Sequence, residues 1–494
     1  MRKRAIRMTL AVAVAVAASA AAAPVAQAAP AAGGAARVDF NGDGVSDVVT
    51  AAPDATVSGR ARAGYVAVTY GSRTASLKSQ VRKVFQQDTA GVPGSAEQDD
   101  RFGAALTTGD LDGDGRTDLV VGSPGEDGGT LDSSGSLTVL WGGKGGLGTG
   151  TVIKGTRSRQ KLGEALTTGD FDGDGHLDVA TGTTVHYGPF GRTTGPARTA
   201  AMDVRVNAPD DVLWQTPVLA SGDVNGDRVD DVVAIAPHGQ DELPYHGPRL
   251  LQYFQGSRDG LTAARTLRDA DTGETLDGGA DLAVGDLDRD GYADIVLGRS
   301  SVDDMEGTAD VDAVGGAVEI VRGGAAGPDT AGPRARFDQD TAGVPGTAEE
   351  RDGFGAGVSL GDVNGDGRLD LAVGAPGEDV GSVADAGSVT VLLGGAKGLT
   401  ATGARTFTQN SASVPGTAEK GDRFGGAVRL ADTTGDGRAE LYAGAPGENA
   451  GAGSVWALPG TATQVTGKGS VSFGAGTLGT VAAKAALGAA FDRR

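Results

Sequence analysis

Nine residues, Asp110-Leu-Asp-Gly-Asp-Gly-Arg-Thr-Asp118, limit what this chain can become more than any other stretch. Acids stand at the first, third, fifth and ninth positions, and glycines at the fourth and sixth. A hard dication such as Ca²⁺ takes six to eight oxygens at roughly 2.3–2.6 Å, which carboxylates and one backbone carbonyl can supply. The carbonyl is expected from the seventh residue, Arg116, and Gly115 permits the positive φ that turns the loop back on itself. Without a cation, four carboxylates held so close would repel one another.

The loop recurs in frame seven times. Its first, third, fifth, seventh and ninth residues are Asp39, Asn41, Asp43, Val45 and Asp47 in loop one. They are Asp110, Asp112, Asp114, Arg116 and Asp118 in loop two, and Asp170, Asp172, Asp174, His176 and Asp178 in loop three. Loop four has Asp223, Asn225, Asp227, Val229 and Asp231, and loop five has Asp286, Asp288, Asp290, Tyr292 and Asp294. Loop six has Asp362, Asn364, Asp366, Arg368 and Asp370, and loop seven has Asp432, Thr434, Asp436, Arg438 and Glu440. A single Asp/Asn/Gly turn is common in β proteins, but seven copies with an acid at alternate positions exceed what a turn requires. These residues are the expected ligands of up to seven calcium ions. Loops four and seven are expected to bind most weakly, because Arg228 replaces a glycine in one and Thr434 and Glu440 occupy ligand positions in the other. Arg289, at the fourth position of loop five, is tolerable if its side chain faces water.

The units around these loops share a grammar. An apolar run follows each loop, as in Asp118-Leu-Val-Val-Gly122 and Asp370-Leu-Ala-Val-Gly374, and several of these runs end at a proline (Pro53, Pro124, Pro376, Pro446) that cannot donate to a ladder. A glycine-bounded alternating strand comes next, as in Gly135-Ser-Leu-Thr-Val-Leu-Trp-Gly142. A third strand and a loop such as Gln87-Asp-Thr-Ala-Gly-Val-Pro-Gly94 lead to Phe102-Gly103 and the next short strand. Loop starts are 53 to 76 residues apart, room for about four strands each. A four-stranded sheet cannot bury both faces alone, so the units must stack, and radial stacking makes a β-propeller.

Phe-Gly, the acidic loop and Gly-Ala-Pro, in that order, resemble the FG-GAP repeat. That repeat is the blade unit of the integrin α-chain propeller and of many secreted bacterial integrin-like proteins. The resemblance covers residues 38–460 and is fullest around Asp110, Asp362 and Asp432. It implies an all-β, seven-bladed propeller of four-stranded antiparallel blades, with calcium in the hairpin between the first and second strands. It also implies an extracellular binding role rather than an enzymatic one. Units three to five have lost much of the signature. The first unit lacks a Phe-Gly strand before Asp39, whereas Leu487-Gly-Ala-Ala-Phe491 resembles the missing piece. A C-terminal strand at 487–491 is therefore expected to close the ring, which removes exposed sheet edges.

Ahead of this single domain, 38–494, residues 1–28 read as a secretory signal peptide: a basic start, an Ala/Val-rich run over Met8–Ala23 and a small-x-small site before Ala29. Residues 29–37 read as a flexible lead-in. The mature protein is thus expected to be exported, where calcium is plentiful. The formal net charge of −21, with no basic run, argues against nucleic acid and anionic lipid as partners. The absence of cysteine excludes disulfides and thiolate metal sites. No second apolar stretch is long enough to span a membrane.

Catalysis finds little support. No serine elbow, zinc-helix or phosphate-loop motif occurs. His186, His238 and His246 are expected as exposed polar residues, and Trp141 and Trp456 as core. Trp214 is a third tryptophan able to stack on a sugar. Lys420-Gly-Asp422 resembles a short adhesion peptide but sits where Gln98-Asp-Asp100 stands in an earlier unit. The stretches 237–249 and 299–315 break the repeat and are expected to face away from the acidic hairpins, as a candidate ligand surface. The expected function is that of an exported calcium-binding module for adhesion or ligand binding, a monomer whose ligand is an unknown extracellular protein or glycan. The alternative is a secreted hydrolase or carbohydrate-binding protein on the same scaffold.

Overall fold

The computed structural model describes residues 37–204, 216–236, 249–300 and 314–493. The signal-peptide and lead-in readings (except Arg37), Trp214, His238, His246 and nearly all of 237–249 and 299–315 lie outside these residues. The described residues form seven four-stranded antiparallel sheets. Blade two shows the plan: Leu106–Gly109, Asp118–Ser123, Ser136–Leu140 and Gly150–Lys154, paired in chain order. Blade three is Thr167–Gly169, Asp178–Ala180, Thr184–Tyr187 and Arg198–Ala201. Blade four is Val218–Gly222, Asp231–Ala236, Leu250–Phe254 and Arg265–Thr266. Blade five is Asp281–Gly285, Asp294–Arg299, Ala317–Val321 and Ala335–Phe337. Blade six is Gly357–Gly361, Asp370–Ala375, Ser388–Gly395 and Gly398–Phe407. Blade seven is Ala427–Ala431, Glu440–Ala445, Ser454–Leu458 and Val471–Gly474. Blades three to five keep this plan although their sequences have drifted.

Blade one is assembled from both ends of the chain. Val48–Ala52, Tyr65–Thr69 and Arg82–Phe85 supply three strands, and Ala490–Phe491 supplies the innermost, with Thr50 opposite Phe491 and Ala51 opposite Ala490. First strands of successive blades abut around a central cavity of about 460 Å³. Beyond Phe491 the tail runs along this cavity. Asp492 accepts from Val49 N at 2.8 Å and from Arg429 Nε at 3.1 Å, and Arg493 pairs with Asp281 at 2.5 Å.

The core lies between blades, not within them. Among the described residues there are seven apolar clusters, and each joins two neighbours. Val49, Val66 and Val68 of blade one meet Leu119, Val121 and Leu140 of blade two, for example. Second strands are therefore buried from end to end, as Asp118–Ser123 is, and their sequence is nearly continuously apolar instead of alternating. Fourth strands face solvent, as Arg198–Ala201 does.

Phe102, Phe354 and Phe424 are fully buried at these seams. The glycine after each packs backbone to backbone on the neighbouring blade. A Cβ on Gly374 would stand 1.9 Å from Gly425 O, and one on Gly444 would stand 2.0 Å from Gly488 O. The seam at Gly488 closes the ring with the same contact as the seam at Gly425. Trp141 and Trp456 are buried, each donating its indole N–H, to Thr151 Oγ1 at 3.0 Å and Pro415 O at 2.7 Å. No helix among the described residues is long and apolar enough to cross a membrane.

Candidate metal centres

Six acidic hairpins connect the first and second strands of a blade, and loop one leads into Val48–Ala52, the second strand of blade one, so all seven share one face of the ring. Their backbone scheme is uniform. The first acid accepts the amide hydrogens of the fifth and sixth residues, as Asp110 does from Asp114 at 3.0 Å and Gly115 at 2.9 Å. The fifth acid accepts from the seventh amide, as Asp114 does from Arg116 at 2.9 Å. The conformation demands positive φ at the fourth and sixth positions. Arg228 (φ +70°) and Arg289 (φ +65°) adopt it where glycine would be unstrained. The Arg289 side chain is exposed, as its position requires, and donates to Gly367 O of loop six.

The ninth acid has a part that the spacing did not reveal. Asp118 is 0% exposed. Its Oδ2 accepts from Leu111 N at 2.9 Å and its Oδ1 from Gly142 N at 2.8 Å, which ties the hairpin to the end of the third strand. The same double tie recurs at Asp47, Asp178, Asp231, Asp294 and Asp370. In loop seven the longer Glu440 keeps the tie to the second amide, Thr433 N at 2.8 Å, and turns the rest of its carboxylate to Thr434.

Burial pushes these carboxyls up, neighbouring loop acids add to the effect, and the amide hydrogen bonds oppose it. Asp47 reaches about 8, Asp118, Asp178, Asp370 and Glu440 about 7, and Asp231 and Asp294 about 6. A divalent ion suits such a site: the available donors are all oxygen. In loops two and three, single oxygens of the first, third and ninth acids lie within 4.8 Å of one another. In loop five the converging set is Asp286, Asp288 and Asp290.

Arginines were not anticipated here. Arg192 lies over the Trp141 ring, 5.5 Å from its centroid, and pairs with Asp112 and with Asp114. Arg198 pairs with Asp172 at 2.7 Å, and Arg322 with Asp288 at 2.8 Å. These are the three loops with an acid at the third position. Where that residue is Asn41, Asn225, Asn364 or Thr434, no ion pair reaches it among the described residues.

A second acidic set follows the prolines, on the opposite face. Gln87 donates to Glu126 at 2.8 Å, Gln339 to Glu378, and Gln409 to Glu448 at 2.5 Å, each beside Asp100, Asp352 or Asp422. Burial raises Asp100, Glu378 and Glu448 to about 7 and Asp352 to about 6. Asp422, in the adhesion-like tripeptide, is buried and accepts from Glu419 N at 2.8 Å. His186, expected at the surface, is 3% exposed on a middle strand of blade three, and burial pushes it down to about 4.

The FG-GAP repeat family matches residues 31–69, 102–140, 162–195, 354–392 and 424–458. Each segment contains an acidic hairpin; loops four and five are the two outside them. Phosphatidylinositol-glycan-specific phospholipase D of Rattus norvegicus is 33% identical over 147 residues, 29% of this chain and 17% of that protein. Integrin alpha-PS2 of Drosophila melanogaster is 31% identical over 225 residues, 44% of this chain and 15% of that protein. Integrin alpha pat-2 of Caenorhabditis briggsae is 29% identical over 231 residues, 43% of this chain and 18% of that protein. The matched part of the chain thus spans less than a fifth of each of these relatives.

Proposed function

We propose a role that proceeds from one premise, that this chain is an integrin-like FG-GAP β-propeller. It acts as an exported, calcium-stabilised adhesion or ligand-binding module, works as a monomer and has no catalytic activity of its own. The observation that carries this reading is the uniform hairpin scheme. Backbone amides hold the first, fifth and ninth acids in fixed orientations, so their remaining lone pairs can converge on an ion at little cost in ordering. The first, third, fifth and ninth side chains and the seventh carbonyl would hold calcium, which would neutralise carboxylates that burial disfavours. Relatives named as integrin alpha chains support the adhesion reading.

The test is retention of the purified chain on extracellular protein and glycan arrays with calcium or with EDTA, alongside its melting temperature. Calcium-dependent retention and a chelator-sensitive melting point are expected. A melting point indifferent to EDTA would overturn the calcium role, and equal retention in both buffers would overturn its link to binding. The likeness to a phospholipase D motivates a second reading, a hydrolase or carbohydrate-binding protein on the same scaffold. Turnover of phosphodiester or glycan substrates would favour it. N-terminal sequencing of exported material is expected to begin at Ala29.

A further inference from the structure

Loop five differs from the other hairpins in what faces its carboxylates. Arg322 directly precedes Gly323, the residue whose amide ties the ninth acid. At the equivalent place the other blades carry Tyr70, Trp141, Tyr187, Gln255, Leu393 and Pro459, none of them cationic. Arg322 Nη1 donates to Asp288 Oδ2 at 2.8 Å and to Asp294 Oδ2 at 2.9 Å. It therefore bridges the third and ninth acids. Arg192 and Arg198 make no such bridge: they meet Asp112, Asp114 and Asp172 and leave the ninth acid of their loops alone.

Two further observations agree. The amide ties of Asp294, 3.3 Å from Leu287 N and 3.1 Å from Gly323 N, are longer than the 2.7–3.0 Å ties of the ninth acids in loops one, two, three, four and six. Asp294 is also absent from the converging oxygens of loop five, although Asp118 and Asp178 belong to theirs.

We propose that the Arg322 guanidinium takes the place of the divalent ion in loop five, so that this hairpin is held without metal while the others are loaded. The inference rests on the calcium reading above and departs from the expectation of seven sites. A guanidinium and a dication cannot grip the same pair of carboxylate oxygens without strong mutual repulsion, and the two hydrogens of Arg322 Nη1 let one always-charged group serve both carboxylates. The substitution also gives something an ion would not, a link between neighbours. Arg322 Nη2 donates to Lys397 O of blade six at 2.8 Å, and Arg289 reaches Gly367 O of loop six.

The test counts bound calcium by equilibrium dialysis on metal-stripped protein. Arg322→Leu, which installs the residue found in blade six, is expected to bind one ion more than the natural chain. Adding Asp286→Asn to R322L is expected to remove that extra ion, whereas D286N alone leaves the natural count unchanged. In EDTA, R322L is expected to melt several degrees lower than the natural chain and to recover with calcium. An R322L count equal to that of the natural chain would overturn the proposal. So would a D286N variant that loses one ion, a result that does not depend on whether R322L folds. If the natural chain binds calcium but R322L gains none, this inference alone fails. If neither binds any, the calcium reading fails with it.

Discussion

Replacing Asp118 by asparagine separates the two duties of the ninth acid. The carboxylate satisfies two buried amides, Leu111 N and Gly142 N, and in the proposed loaded state it also faces the ion. Asparagine keeps the shape but offers one acceptor, so one buried N–H is left opposite an NH₂ group. An unsatisfied buried donor costs about 1–3 kcal/mol. The ion adds about 1.4 kcal/mol per site at ~1 mM calcium and an affinity of ~0.1 mM. The variant should therefore lose about 2.5–4.5 kcal/mol in calcium but only about 1–3 kcal/mol in EDTA. The lower end applies in EDTA near neutral pH, because burial has already raised Asp118 to about 7 and asparagine resembles the protonated acid. With an unfolding entropy of about 2.1 cal/mol/K per residue over about 450 residues, 1 kcal/mol shifts the melting point by about 1 °C. Scanning calorimetry in both buffers should show a drop about 1–2 °C larger in calcium. Equal drops would refute the ion's contact with Asp118, and no drop in either buffer would refute the structural tie as well.

Other outcomes follow from the same structure. In EDTA the melting point should fall as pH rises from about 4 through about 8. Asp47, Asp118, Glu378 and Glu448 have raised folded values, so their favourable contribution is full below the ordinary carboxylate range and disappears through about 7 to 8. Saturating calcium should flatten or reverse that slope, and a metal-free curve that rises with pH would contradict the burial argument. Gly374→Ala, whose Cβ would press on Gly425 O at 1.9 Å, should cost about 1–3 kcal/mol or more, whereas Gly148→Ala, with nothing within 4 Å, should be near neutral. Similar calorimetric losses in the two would refute the seam contact. Phe491→Ala removes a buried ring set edge-on to Tyr442 at 6.5 Å and should cost about 3–5 kcal/mol; unchanged melting would show that the closing strand is dispensable.

The ring was legible because its grammar repeats. In-frame acids located the hairpins, and glycine-bounded apolar runs located the strands. Drift in units three to five hid little of the architecture, because seams need only apolar bulk, which Val232, Ile295 and Val296 still supply. Long-range partners were illegible. Nothing in a nine-residue spacing announces that Asp118 also ties Gly142, or that Arg322, 28 residues beyond Asp294, returns to the same hairpin. His186 misled because a strand buried on both faces lacks the alternation that marks a surface position.

The pairing of Thr50 with the Ala490 stretch has a consequence for how the molecule is made. Its partners are 440 residues apart along the chain, among the most non-local contacts a polypeptide of this length can form, and such contacts form late. Six blades can consolidate as they emerge, but the first must wait, one edge bare, for the final segment to arrive. During synthesis that waiting edge is where a stray strand would attach, and a protease that trims the tail would return the finished molecule to that vulnerable state.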